Sequence, residues 1–262
     1  MINKITTRKN PLVKSAAALN NSSSERSSRK AYLAEGARLV EDAAKSGVKI
    51  EELFYTETAY KKYQKYIDTA KKVSDNIYIV EDHVADLLSS TKSSQGVFAV
   101  CKFGDNLNAK TPTKRVITLE NIQDPLNMGT ILRTAEALGI SEVLMVGECC
   151  DILSPKVLRA SMGAVFRLRF IYAKTAKECR ELLTKHEYKL LGAVPLDTAT
   201  KITEVKFNDR TSVAIGNEGN GLTEEFKSLC DDLVTIPMKG RAESLNAATS
   251  ASIIMWEMTK GD

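Results

Sequence analysis

Short apolar runs alternate with longer amphipathic stretches from the beginning of this 262-residue chain to its end. In the first hundred residues, runs of strand-forming side chains predict β-strands at 32–35, 53–56, 77–80 and 97–103. Apolar positions at helical spacing predict helices at 38–46, 59–72 and 82–89. This pattern is typical of a small α/β domain.

A second series of apolar runs follows residue 115. Strands of the buried type are predicted at 116–119, 143–146, 190–194, 212–215 and 233–236, with helical segments between them. This alternation indicates an α/β fold with a mostly parallel sheet. The stretch 104–114 is polar and contains glycine, proline and two asparagines, which favours a linker. We therefore expect one domain over 1–105 and a second over 106–262.

Composition narrows the class of protein. Hydrophobic residues make up 43% of the chain and charged residues 27%, which is typical of a folded globular protein. No apolar run approaches the ~20 residues that a membrane span needs. The five cysteines include no C-x-x-C pair and the two histidines are far apart, so we expect no disulfide framework and no metal site. A reducing, cytoplasmic location is expected.

Positive charge is concentrated at the start of the chain. The formal net charge is +4, yet the first thirty residues carry seven basic groups against one acid, Glu25. Such a segment is a phosphate-binding arm, a transit peptide or a solvated tail. Because it continues without a break into folded-type sequence at 31–36, a transit peptide is disfavoured. Of the other two interpretations we favour the phosphate-binding arm. Its basic residues are Lys4, Arg8, Lys9, Lys14, Arg26, Arg29 and Lys30.

Three loops after the predicted strands of the second domain have unusual compositions, and parallel sheets bind ligands at the carboxyl ends of their strands. The first loop, after the strand at 116–119, contains Asn127, which we expect to cap the next helix, and Arg133 six residues later. Gly139 is expected to end that helix. Taken alone, this loop is better explained as a capped helix with one solvated arginine.

The other two loops are rich in glycine or small residues. GNEGNG at 216–221 matches neither the dinucleotide fingerprint nor the Walker loop, and a tight turn is the alternative to a ligand loop. IPMKGRAESLN at 236–246 precedes a helical run of small residues. We expect Ser244 to cap that helix, and close packing or a dimer contact would also explain the small residues.

Together, the three loops resemble the three motifs of the SpoU, or TrmH-type, RNA ribose 2′-O-methyltransferases of the SPOUT superfamily. The matching patterns are N-x-x-x-x-x-R, G-x-E-x-x-G-L and I-P-M-x-G-x-x-x-S-L-N. The sequence at 32–40 and 94–100 is similar to the family's substrate-binding domain, which resembles small ribosomal RNA-binding proteins. Residues 154–164 resemble the subgroup that acts on large-subunit rRNA.

The resemblance implies a SPOUT domain with a parallel sheet and a deep trefoil knot, acting as a homodimer with S-adenosylmethionine. It places the cofactor among five residues: Gly216, Ile236, Met238, Leu245 and Leu196. It assigns the reaction to a second set: Arg133, Asn127, Glu218, Ser244 and Asn246. The expected activity is 2′-O-methylation of a ribose, with 23S rRNA as the substrate.

Two roles are open for Arg133. The family description has it assisting deprotonation of the hydroxyl, whereas a guanidinium is always protonated in proteins, which favours binding of a phosphate and stabilisation of the developing oxyanion. No metal is required.

The expected RNA partner follows from the 2′-hydroxyl, and the basic N-terminal residues would bind phosphates without reading sequence. Arg159, Arg167 and Arg169 are further candidate contacts. The alternatives are a tRNA methyltransferase, a base methyltransferase, an antibiotic-resistance enzyme, and a non-catalytic RNA-binding or ribosome-assembly factor.

Overall fold

The computed structural model of the chain describes residues 3–261, which divide into two compact units. The first unit contains the residues up to Gly104 together with Leu153–Phe166, and the second contains Asp105–Ile152 together with the residues from Arg167 onward. The sequence pattern predicts 153–166 as part of the second domain, whereas the structure places this segment in the first unit.

The first unit is built on a five-stranded mixed sheet in the order β1-β4-β3-β5-β2. Strand β5 runs antiparallel to β2 and β3, and the other pairs are parallel. Its elements up to residue 104 are β1 (Asn3–Ile5), α1 (Pro11–Asn21), α2 (Ser23–Arg29), β2 (Ala31–Glu35), α3 (Ala37–Lys45), β3 (Ile50–Tyr55), α4 (Glu57–Lys71), β4 (Ser74–Val80), α5 (Asp82–Leu88) and β5 (Val97–Lys102).

The basic N-terminal segment belongs to this fold and is not a projecting arm. Strand β1 pairs with β4, and Asn10 caps α1 by accepting a hydrogen bond from the backbone N–H of Leu12. Val13 and Leu19 are fully buried in the core of the unit. The short β1 and the alanine-rich α1 have weak hydrophobic periodicity, so the sequence pattern did not predict them. The excess of positive charge was the stronger signal in this segment.

The second unit contains a seven-stranded sheet in the order β10-β12-β9-β11-β6-β7-β8, with every strand pair parallel. The elements after residue 104 are β6 (Val116–Glu120), α6 (Pro125–Ala137), β7 (Glu142–Val146), α7 (Pro155–Ala160, in the first unit), β8 (Arg169–Ala173), α8 (Ala176–Lys185), β9 (Lys189–Ala193), β10 (Thr200–Lys201), β11 (Thr211–Ile215), α9 (Glu224–Leu229), β12 (Asp232–Thr235) and α10 (Ala247–Thr259).

All nine predicted strands are confirmed to within about three residues, the usual uncertainty of element ends. The central strands β6, β7 and β11 are buried at every position, as expected for a parallel sheet covered on both faces.

The predicted linker is ordered as part of the second unit. Residues Asp105–Asn108 form a 3-10 helix, and the Asn106 amide donates to the Leu168 carbonyl at 2.9 Å. The backbone N–H of Ala109 donates to the Phe170 carbonyl at 2.8 Å.

The 153–166 segment has an apolar face that explains its place in the first unit. Ser154 caps α7, and Val157 and Leu158 of this helix are buried. Phe166, near the end of the segment, stacks on Tyr32 of β2 with ring centroids 6.2 Å apart. Within residues 3–261, no helix is both long enough and apolar enough to cross a membrane.

We predict that Leu19→Ala lowers the free energy of unfolding by about 2–5 kcal/mol, because it leaves a cavity in the core of the first unit. Urea denaturation of the full chain measures this effect. The control is Lys14→Ala on the exposed side of the same helix, with an expected change below about 0.5 kcal/mol. Equal, small effects would show that the segment does not contribute to the fold.

Candidate active site

A cavity of about 250 Å³ lies in the second unit, among the loops that follow β9, β11 and β12. It is lined by apolar side chains, including Val194, Ile215 and Ile254, and by the glycine-rich loop. The sequence-predicted cofactor residues Gly216, Ile236, Met238 and Leu245 all line this cavity. Leu196 does not, and is exposed, although its neighbour Pro195 lines the wall.

Asp124, and not Asn127, is the N-cap of α6. Its side chain accepts the backbone N–H of Leu126 at 2.7 Å, and Pro125 occupies the first turn. The prediction of an Asn127 cap was therefore wrong, because two helix-start signals stand close together and Asp124 comes first. Asn127 lies inside the first turn, where its side chain is available for other contacts. Gly139 has φ of +77° just beyond the helix, as predicted for its end.

Asn246 caps α10 in place of the predicted Ser244. The Asn246 side-chain oxygen accepts the backbone N–H groups of Ala248 at 2.9 Å and Thr249 at 3.2 Å. Its amide nitrogen remains free to donate, and it donates to Asn127 Oδ1 at 3.0 Å. Ser244 instead lines the cavity.

The carboxylate of Glu218 connects the second loop to the first. It accepts the backbone N–H groups of Gln123 at 3.2 Å and Asp124 at 3.0 Å, together with the Asn127 amide at 3.2 Å. Partial burial raises the pKa of Glu218, but these hydrogen bonds outweigh it and hold the pKa below its usual value. Glu218, Asn127 and Asn246 therefore form a continuous polar chain, with an ionised acceptor at one end, across all three loops.

The glycine-rich loop is a tight turn closed by two backbone hydrogen bonds between Asn217 and Gly221, at 3.0 and 2.9 Å. A side chain at Gly216 would place its Cβ 2.1 Å from the Gly221 carbonyl carbon and 2.2 Å from the Leu222 nitrogen. Gly216 is therefore required because two backbone segments meet there. Gly221 has φ of +67°, a left-handed conformation that favours glycine.

Two further positioning residues were not recognised from the sequence pattern. Asn121, directly after β6, has φ of +53°, and its side-chain oxygen accepts the backbone N–H of Glu148 at 2.7 Å. Its carbonyl accepts the Asn217 amide at 2.9 Å. Glu120 is buried and accepts both the N–H and the hydroxyl of Thr223. The sequence signal that could have identified Glu120 and Asn121 is a pair of polar residues at the end of a buried strand.

Arg133 is not part of this polar chain. It lies on the exposed side of α6, rotated by about 240° from Asn127 around the helix. Among the residues that the structure describes, no side chain or carbonyl is hydrogen-bonded to its guanidinium. The structure therefore brings Asn127, Glu218 and Asn246 together but leaves Arg133 on a separate face of the helix.

The basic N-terminal residues divide into two groups. Lys9, Lys14 and Lys30 are exposed, and their side chains form no ion pair or hydrogen bond within residues 3–261. The others have partners within the unit: Lys4 pairs with Glu57, Arg8 with Asp86, Arg29 with Ser15, and Arg26, which is 6% exposed, with the Leu19 carbonyl.

The two arginines around β8 are also paired. Arg167 binds Glu136 at 2.7 Å, and Arg169 binds buried Glu142 and donates to the Thr113 hydroxyl at 2.8 Å. These contacts stabilise the second unit.

The comparisons with known proteins show that the parallel sheet, the three converging loops and the cavity belong to an S-adenosylmethionine-dependent methyltransferase. Residues 114–256 match the model of the SpoU rRNA Methylase family, and residues 10–99 match the MRM3-like substrate binding domain. The chain belongs to the SpoU rRNA methylase family, as the motifs predicted.

Relatives match over nearly the full chain. An uncharacterized tRNA/rRNA methyltransferase of Synechocystis is 32% identical, covering 98% of this chain and 93% of the relative. The 23S rRNA (guanosine(2553)-2′-O)-methyltransferase RlmP of Bacillus subtilis is 28% identical, covering 97% and 98%. The AdoMet-bound rRNA methyltransferase from Sinorhizobium meliloti has a TM-score of 0.86 at 26% identity, covering 99% and 98%.

We predict that Gly216→Ala destabilises the protein by about 1–3 kcal/mol, because the added methyl group overlaps the backbone of the same loop. Thermal unfolding followed by circular dichroism measures the loss. Gly219→Ala in the same loop is the matched control, since its Cβ would meet its nearest neighbour at 3.6 Å. A Gly216→Ala variant as stable as the wild type would contradict the close backbone contact in this turn.

Proposed function

We propose that this protein transfers a methyl group from S-adenosylmethionine to the 2′-hydroxyl of a ribose in 23S rRNA. The observation that carries the proposal is the hydrogen-bonded chain from Glu218 through Asn127 to Asn246, which joins the three motif loops beside the cavity. The name of the Bacillus subtilis relative supports the substrate.

The lining of the cavity suits S-adenosylmethionine. Backbone groups at Gly216, Ile236 and Leu245 would hold the cofactor, and Met238 would form an apolar wall. Leu196 stays a predicted contact through its position next to Pro195. When bound, the cofactor supplies a positively charged sulfonium that carries the methyl group. Apolar walls with backbone donors and acceptors bind such a ligand without a metal.

Glu218 acts in this proposal as a positioning residue and not as the base. Its pKa is held below the usual value, so its carboxylate is a poor acceptor for the proton of a ribose hydroxyl. Its hydrogen bonds instead fix the orientation of Asn127, whose oxygen in turn engages Asn246. Ser244, which lines the cavity, presents a hydroxyl that would orient the ribose.

Arg133 would bind the phosphate next to the target ribose and stabilise the oxyanion that develops as the hydroxyl loses its proton. Two features support this role. The guanidinium has no hydrogen-bond partner among residues 3–261, so its donors are available to RNA, and the paired donors of a guanidinium match two phosphate oxygens.

A homodimer is supported by exposed apolar side chains on the helices α6 and α10. Helix α10 packs on α6 through contacts that include Ser252 with Thr134. Leu126 is 63% exposed and Trp256 on α10 is 58% exposed, so a second copy would cover apolar surface here.

RNA binding would draw on the exposed lysines of the first unit. Lys9, Lys14 and Lys30 would contribute a salt-dependent attraction to phosphates. Arg26 is buried, and in this proposal it supports α2 from within. The proposal also includes a cytoplasmic location, which the five free cysteines favour, and a trefoil knot in the second unit, which the family resemblance implies.

The proposed activity is tested by incubating the full chain with labelled S-adenosylmethionine and transcripts of 23S rRNA. The controls are tRNA and a DNA that has the same sequence as the 23S rRNA transcript. Nuclease digestion and mass spectrometry should locate the label on a ribose 2′-oxygen of 23S rRNA. Label on a base or on tRNA would contradict the proposed substrate. Cofactor binding without transfer to any RNA would favour a non-catalytic role.

We predict that Arg133→Lys lowers kcat by about 10²-fold or more, because lysine keeps the charge but loses the planar pair of donors. The dissociation constant for S-adenosylmethionine should not change, since Arg133 does not line the cavity. Arg210→Lys, before the amino end of β11, is the matched control. Full transfer by Arg133→Lys would exclude both roles of the guanidinium.

We predict that Trp256→Glu converts the dimer to monomers, because a buried carboxylate would replace apolar contact at the proposed interface. Analytical ultracentrifugation measures the oligomeric state. Val73→Glu, at an exposed apolar position of the first unit, is the control and should leave the dimer intact. A monomeric wild-type protein would contradict the proposed assembly.

A further inference from the structure

The 153–166 segment places Arg159 on the surface of the first unit. Buried neighbours on the same helix fix its position. Arg159 lies at the end of α7, whose Val157 and Leu158 are buried. Its Nη1 donates to the Ser90 hydroxyl at 2.5 Å and lies 3.8 Å from the carboxylate of Glu35. The guanidinium is therefore held at one corner only.

Glu35, which anchors this arrangement, is 9% exposed and fully hydrogen-bonded. Its oxygens accept the Ser89 hydroxyl at 2.7 Å, the Ser90 N–H at 2.9 Å and the Thr91 hydroxyl at 2.9 Å. Burial raises the pKa of Glu35, but these hydrogen bonds bring it below its usual value, so the anchor is a carboxylate at neutral pH. A buried anchor with several donors orients the loop and the arginine together.

The outer edge of the Arg159 guanidinium is available. Within the described part of the chain, no acceptor is hydrogen-bonded to its Nε or Nη2, and about a third of the side chain is exposed. This edge has two parallel N–H donors, which match two oxygens of a phosphate. Lys156, three residues earlier on α7, and Lys92 in the loop that follows α5 are also exposed, while the Asp42 carboxylate lies next to Gly163.

Met162 follows Ser161, the C-cap of α7, in a left-handed conformation. Its φ is +51°, which is rare for a residue with a side chain, and its backbone N–H donates to the Arg159 carbonyl at 3.2 Å. Ser161 and Gly163 on either side are buried, while Met162 is 53% exposed. A left-handed residue is a common way to end a helix, and Lys30 and Glu187 adopt the same conformation at the ends of α2 and α8. The position directs the Met162 side chain to solvent.

We propose that Arg159 and Met162 form a nucleotide-binding element for the RNA substrate, in which the Nε–Nη2 edge of Arg159 binds a backbone phosphate and Met162 packs on the adjoining base or sugar. The inference rests on the proposed function and adds a contact that the exposed lysines of the N-terminal segment do not supply. Those lysines attract phosphate as point charges, whereas Arg159 recognises its geometry.

The decisive variant is Arg159→Lys, tested by fluorescence anisotropy with a 23S rRNA fragment that the wild-type protein methylates. Because the charge remains and the paired donors are lost, affinity should fall about tenfold while the dependence on salt stays nearly the same. Arg210→Lys in the second unit is the matched control and should bind RNA within about twofold of wild type.

Met162→Gly separates binding from folding. Glycine adopts a positive φ without strain, so the melting temperature should rise, while the loss of the side chain should weaken RNA binding about threefold. A residue with a merely structural role would not give these opposite changes.

If Arg159→Lys and Met162→Gly both bind RNA within about twofold of wild type while the wild-type enzyme methylates that RNA, the nucleotide-binding element is wrong and the proposed function stands. The element is also wrong if both variants bind RNA as tightly as the wild type does but bind an acidic protein, tested in the same assay, more weakly. A wild-type chain that neither binds nor methylates any RNA overturns both proposals.

Discussion

The carboxylate of Glu218 is the interaction on which the candidate site depends. It accepts backbone N–H groups from Gln123 and Asp124, which lie 95 and 94 residues earlier in the chain, and it also holds Asn127. A neutral glutamic acid would accept these bonds less well, so the low pKa and the loop arrangement require each other. The loops leave different strands of one parallel sheet, which brings them to the same edge.

Helix capping determines which side chains remain for chemistry. Asp124 caps α6 by accepting the N–H of Leu126, so Asn127 keeps both ends of its amide for Glu218 and Asn246. Asn246 performs two tasks, since its oxygen caps α10 while its nitrogen reaches Asn127. An aspartate at either asparagine position would provide an acceptor but no donor, and the polar chain would be broken.

Much of the fold and part of the site could be predicted from the sequence. Buried strands such as β6 and β11 are recognisable because both faces are apolar, and the three motifs identify loops that do converge. The caps could not be assigned in advance, because Asp124 and Asn127, or Ser244 and Asn246, are equally good candidates by residue type. The burial of Arg26 was equally hidden, since its partner is a backbone carbonyl that composition does not reveal.

The return of 153–166 to the first unit has a consequence for dissecting the protein. The chain crosses between the units three times, so cutting it at Gly104 does not separate two complete folding bodies. An amino-terminal fragment would lack α7 and Phe166, exposing the ring of Tyr32 and leaving Glu35 without Arg159. The residues of the two units are thus interleaved along the chain, and neither unit can be exchanged between relatives as a single contiguous block.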